Sequence, residues 1–160
     1  LTYGVNLFYI DGKNLILTLP NPSGSGMLNL NSGRIENAGA EIEAAWRIDE
    51  RWTVDANYSY LHMEHPVVAA PEHKFHAGAD FRCGRWHLTS GVQYIAGLYT
   101  QTDPVITEEF VLWNMQASFR AARWLGIWAR GENLLAQRYE INAGYPMPRA
   151  TVMAGFDVHF

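Results

Sequence analysis

Four of the six histidines fall between residues 62 and 76. His62, Met63, Glu64, His65, Glu72, His73 and His76 are all side chains that can ligate a transition metal. Parity argues against a preformed site. His73 and His76 are three apart, so in one strand they point to opposite faces. The stretch reads instead as a polar surface loop. Asp80 and His87 flank Cys83-Gly84 and are expected to oppose each other across a hairpin. An Asp–His pair does hydrolytic chemistry only beside a nucleophile. Ser90 has the parity of the other face, and Ser59 and Ser118 belong to other strands. The pair is expected to be a cross-strand polar contact worth roughly 0.2–1 kcal/mol. No catalytic, metal or cofactor residue is assigned. Cys83 is the single cysteine, so no internal disulfide exists.

Around these residues runs a row of mixed charge: Glu41, Glu43, Asp55, Lys74, Asp80, Arg82, Arg120, Arg130, Glu132 and Asp157. Most sit between apolar neighbours, and that alternation identifies the elements that hold them. In Arg51–Leu61, Trp52, Val54, Ala56, Tyr58 and Tyr60 alternate with Thr53, Asp55, Asn57 and Ser59, a period of two. The end of the chain does the same. Val152, Ala154, Phe156, Val158 and Phe160 share one face, and Thr151, Met153, Gly155, Asp157 and His159 share the other. Similar strands are expected over Thr2–Ile10, Arg34–Ile48, His73–Arg82, Trp86–Ala96, Glu109–Arg120 and Trp124–Asn133. Leu15–Leu19 is expected to prolong the first strand past a bulge at Asp11–Asn14.

About eight strands result. Short turns are expected near Asp49, Cys83 and Ala122. Long loops are expected over Pro20–Ser32, His62–Glu72, Gly97–Thr107 and Leu134–Arg149. Short turns on one side and long loops on the other form the pattern of an up-and-down transmembrane β-barrel, apolar toward lipid and polar toward the lumen. Composition agrees. Aromatics make up 13%, with six Trp and eight Tyr, and charged residues only 18%. No run reaches the roughly 18 apolar residues of a membrane helix. A net charge of −4 gives no reason to expect nucleic acid. Trp46, Trp52, Phe81, Trp86 and Phe119 lie on apolar faces beside the short turns, as an interfacial girdle requires. Tyr58, Tyr60 and Tyr94 fit a second girdle. A soluble β-sandwich would leave these rings exposed at both ends of its strands.

Several stretches also resemble a known family. They are Gly33-Arg34-Ile35-Glu36-Asn37-Ala38-Gly39-Ala40-Glu41-Ile42-Glu43, Tyr58-Ser59-Tyr60-Leu61, Glu132-Asn133-Leu134-Leu135-Ala136-Gln137-Arg138-Tyr139, and Gly144-Tyr145-Pro146-Met147-Pro148-Arg149 before the closing strand. These resemble the carboxyl-terminal barrel of TonB-dependent outer-membrane receptors. The family's Gly before Arg149 is missing, which shortens that loop. The resemblance implies that residues 1–160 are one barrel segment without the plug, the last third of a barrel of about 22 strands. It implies a Gram-negative outer-membrane receptor that imports a ferric siderophore, haem, cobalamin or a similar scarce ligand. Implied partners are lipid, the rest of its own barrel and plug, the TonB complex through an upstream part, and a small-molecule or metal-chelate ligand. Long loops would face outward and the carboxyl terminus the periplasm. Phe156, Val158 and Phe160 would form the barrel-assembly signal. Tyr99, Gln101, Tyr139 and Tyr145 are candidates for ligand-facing loops by location. The start at Leu1, with no leader, fits a piece of a longer chain. Two other readings stand beside this one: a self-contained eight-stranded barrel with a structural, adhesion or permeability role, and an outer-membrane hydrolase.

Overall fold

The computed structural model describes residues 1–14, 16–31 and 34–159. Its described strands are β1 (Thr2–Lys13), β2 (Ile16–Pro20), β3 (Met27–Asn31), β4 (Arg34–Arg47), β5 (Trp52–Met63), β6 (Pro71–Cys83), β7 (Trp86–Thr102), β8 (Val105–Arg120), β9 (Leu125–Glu132), β10 (Glu140–Asn142), β11 (Tyr145–Pro146) and β12 (Thr151–Val158). Eight of them form one antiparallel meander in the order β1-β4-β5-β6-β7-β8-β9-β12. Among the described residues β1 and β12 are the two ends of this order, with no pairing between them.

Register turns the alternation in sequence into two chemically distinct faces. Val5, Ile42, Tyr58, Phe75, Tyr94 and Val111 are successive partners across six strands. One residue further along, Gly4, Glu43, Asn57, His76 and Gln93 make the adjacent row on the opposite face. A slip of one residue in any pair would exchange the faces of that strand. Some polar-face pairs set a large side chain against glycine. Phe8 lies across Gly39, and Trp128 across Gly155. A Cβ on Gly39 would come within 2.2 Å of Phe8 Cζ and 2.6 Å of the Tyr60 carbonyl oxygen. The missing side chain is what lets the ring lie flat.

The short turns fall where the spacing places them. Asp49 Oδ1 accepts the backbone N–H of Arg51 and of Trp52, both at 2.7 Å, which fixes the first turn. Cys83 pairs with Trp86, so the second turn is Gly84-Arg85, one residue beyond the expected Cys83-Gly84. Gly84 has φ +59, the positive angle that a type II′ turn needs at its first central position.

The other end of the sheet departs from expectation. Lys13 pairs with Arg34, and Ile16 with Asn31, three residues on in one strand and three back in the other. β2 thus keeps the register of β1, but in a separate two-stranded sheet with β3. Much of the stretch expected as a Pro20–Ser32 loop is this hairpin, since Met27-Leu28-Asn29-Leu30 alternates well enough to pair. Leu15, expected in the strand, and Ser32, expected in the loop, lie outside the described residues. β5 reaches Met63 and β6 begins at Pro71, so the His62–Glu72 loop is shorter than expected.

The expected Gly97–Thr107 loop is mostly strand. β7 and β8 run through it to a turn at Asp103-Pro104, whose peptide is cis. Gly97 marks a bulge and not a break. Its φ is +63, and the β7–β8 register shifts between Ile95 and Leu98. The β-branched run Val105-Ile106-Thr107 then favours continued strand. Within Leu134–Arg149, β10 and β11 form a small hairpin.

Candidate functional site

Among the described residues the sheet buries few hydrophobic side chains. Met63, Ile95, Leu98 and Phe110 are its buried hydrophobics. Large apolar side chains instead stand uncovered on one face: Val5 at 66% exposure, Leu7 at 76%, Trp86 at 51% and Phe156 at 73%. A contiguous apolar face of this extent needs an apolar environment. The girdle candidates all lie on it. Near the short turns, Trp52 and Phe81 pair at 4.4 Å between ring centroids, and Trp86 and Phe119 at 4.7 Å. Trp46 pairs with Val54 in the same band. Toward the other end, the Tyr58 hydroxyl bonds His73 Nδ1 at 2.8 Å, and Tyr60 packs on the same imidazole at 5.1 Å. Tyr94 donates to Glu109 at 2.5 Å. Here the polar tips of the rings find partners while their bodies stay on the apolar face.

The polar face carries the charged row. Asp80 Oδ1 accepts Arg82 Nε at 3.0 Å, and Asp80 Oδ2 bonds His87 Nε2. Asp80 and His87 are diagonal and not directly opposed: Asp80 pairs with Thr89, and Arg82 with His87. The diagonal still closes because an extended Asp and a His reach the 7–8 Å separation of such neighbours. His76 Nε2 is 3.4 Å from Asp55 Oδ2, and Arg130 pairs with Glu132. Asp55, His76, Asp80, Asn114, Gln116 and Arg130 line an open concavity of about 490 Å³. Ser118 donates its hydroxyl to the His87 carbonyl at 3.3 Å, and Ser90 accepts the Trp113 indole N–H at 2.9 Å on the apolar face. His73 and His76 do lie on opposite faces, and among the described residues no group of three or more His, Cys, Asp or Glu converges as a metal site.

At the long-loop end the chain folds back on its own wall. Ile95, Leu98 and Phe110 are joined by Leu112, Tyr139 and Ile141. The Tyr139 ring meets Phe110 at 4.1 Å. Burial pushes the Tyr139 phenol pKa up, with Glu132 adding to the effect. Asn133 pins the returning chain. Its backbone N–H donates to Asn114 Oδ1 at 2.9 Å, its Nδ2 to the carbonyls of Gln137 and Pro148, and its Oδ1 accepts the Gln137 N–H. Its φ of +48 is a value that Asn tolerates better than most residues. Sequence reasoning passed over Asn133 and Phe110 as site residues. Asn133 was visible only inside a motif, and Phe110 takes its role from a partner 29 residues away. Of the loop candidates, Tyr99 donates to Glu72 at 2.6 Å and Gln101 to the Asp103 carbonyl at 2.8 Å. Tyr139 faces inward, and Tyr145 is 74% exposed. Phe156 and Val158 end β12, whereas Phe160 lies outside the described residues.

An antiparallel meander with one uncovered apolar, aromatic-banded face and one polar face is the wall of a membrane β-barrel. The family follows from residues 1–134, which match the model of the TonB dependent receptor-like β-barrel; the chain belongs to that family. No curated protein matches it. Among solved structures it resembles the copper transporter OprC, at 17% identity over 99% of this chain and 29% of that one, TM-score 0.80. It also resembles the siderophore receptor PiuA from Acinetobacter baumannii, at 16% identity over 98% of this chain and 26% of that one, TM-score 0.76. A third is the ferripyoverdine receptor of the Pseudomonas aeruginosa outer membrane, at 13% identity over 98% of this chain and 24% of that one, TM-score 0.70. At these identities the likeness is one of fold. The chain spans 24–29% of the length of these three structures.

Proposed function

We propose that this chain is the carboxyl-terminal wall of an outer-membrane TonB-dependent receptor that imports a scarce ligand. The observation that carries the reading is the open, two-faced sheet itself. Its apolar face suits lipid, and its polar face suits a wide lumen. Its unpaired edges, β1 and β12, need further strands, because an open edge in hydrocarbon leaves backbone groups unsatisfied at several kcal/mol each. A barrel of about 22 strands supplies them, and the small share of each solved receptor that this chain covers supports that size. The plug, the TonB contact and most of the ligand site then belong to the rest of the protein. In this reading the short turns and the carboxyl terminus face the periplasm and the long loops face outward. Phe156, Val158 and Phe160 serve barrel assembly, and the aromatic bands mark the two membrane interfaces. Tyr145 is the best placed of the four loop candidates to meet ligand, since Tyr99, Gln101 and Tyr139 are engaged within the loops.

A metal chelate is the ligand class proposed first. Copper, siderophore and ferripyoverdine are what the similar structures are named for. The test is the mass and fractionation of the native polypeptide, followed by growth of a deletion strain on defined iron, copper, haem or cobalamin sources. A polypeptide far above 18.1 kDa in the outer membrane, with a growth defect on one source, is the expected result. A polypeptide near that mass, or a soluble one, would overturn the reading.

A further inference from the structure

The short turns repeat one dipeptide. Arg51-Trp52, Arg85-Trp86 and Arg123-Trp124 each carry the chain from a turn into its returning strand. All six side chains are exposed. Successive turns are two strands apart, hence roughly 10 Å along the rim at the usual strand spacing. Trp52 and Trp86 stand on the apolar face, each paired with a phenylalanine. Immediately beyond each aromatic pair, the two strands bring arginines together. Arg82 N–H donates to the Arg51 carbonyl at 2.8 Å, and Arg120 N–H to the Arg85 carbonyl at 2.9 Å. Neighbouring like charges repel across strands; Arg82 is paired with Asp80, whereas Arg85 reaches only the Ala121 carbonyl. Asp49 spends its Oδ1 on backbone N–H groups, leaving Glu50 as the other turn carboxylate. Between the second and third turns lies a concavity of about 370 Å³. Its lining holds four arginines (82, 85, 120 and 123), the carboxylate Asp157, and the aromatic residues Trp86 and Phe119.

At the first two turns, indole at the hydrocarbon boundary with guanidinium one residue further out matches an anionic phospholipid, acyl chain below and phosphate above, and the third turn adds the Arg123 guanidinium to the same concavity. We infer that the three Arg-Trp turns form a ledge that selects anionic phospholipid headgroups in the leaflet meeting the short-turn end. The inference rests on the membrane reading above.

The test uses the native protein containing this chain, placed in vesicles of phosphatidylcholine alone or with phosphatidylglycerol added. Wild type is compared with the triple variant Arg51→Gln, Arg85→Gln, Arg123→Gln. Retained lipid is measured by native mass spectrometry and the thermal midpoint in each vesicle is recorded. Wild type is expected to retain phosphatidylglycerol preferentially and to melt higher in its presence. Each arginine lost should cost about fivefold in that preference, the equivalent of the ~1 kcal/mol a basic residue contributes near an anionic leaflet. The corresponding triple change to Lys should keep the preference, which separates charge from folding. Lys13→Gln with Arg138→Gln and Arg149→Gln, at the opposite rim, should also leave it intact. Equal retention of both lipids by wild type, or an unaltered preference in the Gln triple, overturns the ledge. An acidic peptide that binds detergent-solubilised wild type where phosphatidylglycerol does not would also overturn it. Failure of wild type to enter either vesicle is a different result and counts against the membrane reading.

Discussion

Three single residues bear on the wall directly. Gly39 is held by two neighbours, one of them the backbone oxygen of Tyr60, which cannot swing aside. Gly39→Ala should therefore destabilise by roughly 1–3 kcal/mol, the usual range for overpacking. Urea unfolding from vesicles measures it, and an unchanged midpoint would mean that the wall relaxes freely. Asn133 satisfies four backbone or side-chain groups at a buried position. Asn133→Ala keeps the backbone bond to Asn114 but leaves the Gln137 N–H and the carbonyls of Gln137 and Pro148 without their side-chain partner, at about 1–3 kcal/mol for a buried polar group. Faster proteolysis within residues 134–149, with the strands intact, is the expected sign. Asp49 has its pKa lowered, first by the Arg51 N–H and then by the Trp52 N–H. A lowered folded pKa gives stability that is complete above the ordinary carboxylate range and is lost as pH falls through the lowered value. The difference in melting between wild type and Asp49→Ala should be constant near neutrality and shrink in acid. A difference that persists at low pH would rule out the charged acceptor as its source.

At the scale of elements, the long β7–β8 hairpin matters most, because the other outer segments attach to it. Ala69 N–H donates to the Tyr99 carbonyl at 2.8 Å and Ala143 N–H to the Thr100 carbonyl at 3.1 Å. Phe110 beneath supplies the apolar contact for Tyr139. Phe110→Ala should cost about 3 kcal/mol, the lower part of the range for a buried aromatic. The loss should fall on β10, β11 and their attachment, and hydrogen exchange at Ala143 and Met147 would report it. Uniform acceleration across β4–β6 instead would mean that the cluster supports the whole sheet.

At the scale of the whole molecule, the two faces predict opposite tolerance. Ile42 lies midway along β4 on the apolar face and is 52% exposed. If lipid covers it, Ile42→Arg should cost about 2–4 kcal/mol, as charge does at the bilayer midplane. Its neighbour Glu41, on the polar face, should accept Gln with little effect. Folding yield into vesicles, read by heat-dependent gel mobility, separates them. Equal tolerance at both positions would refute the assignment of faces.

The sequence by itself determined the strands, their faces and the short turns, because a period of two and local turn chemistry are properties of adjacent residues. Trp52, Tyr58 and Phe81 could be placed on the apolar face from parity alone. The family resemblance at Asn133–Tyr139 and Gly144–Arg149 was legible too. What lay beyond reach was whatever depends on distant partners. Gly97 reads as a breaker until β8 appears opposite and makes it a bulge. Met27–Asn31 reads as loop until Ile16–Pro20 lies beside it. Asp80 and His87 looked directly opposed, and only the register of β6 against β7 made the contact diagonal. Tyr139 looked outward until Phe110, brought up by the β7–β8 hairpin, drew it in. Pairing energy between segments far apart in the chain decided each of these, and no local pattern encodes it.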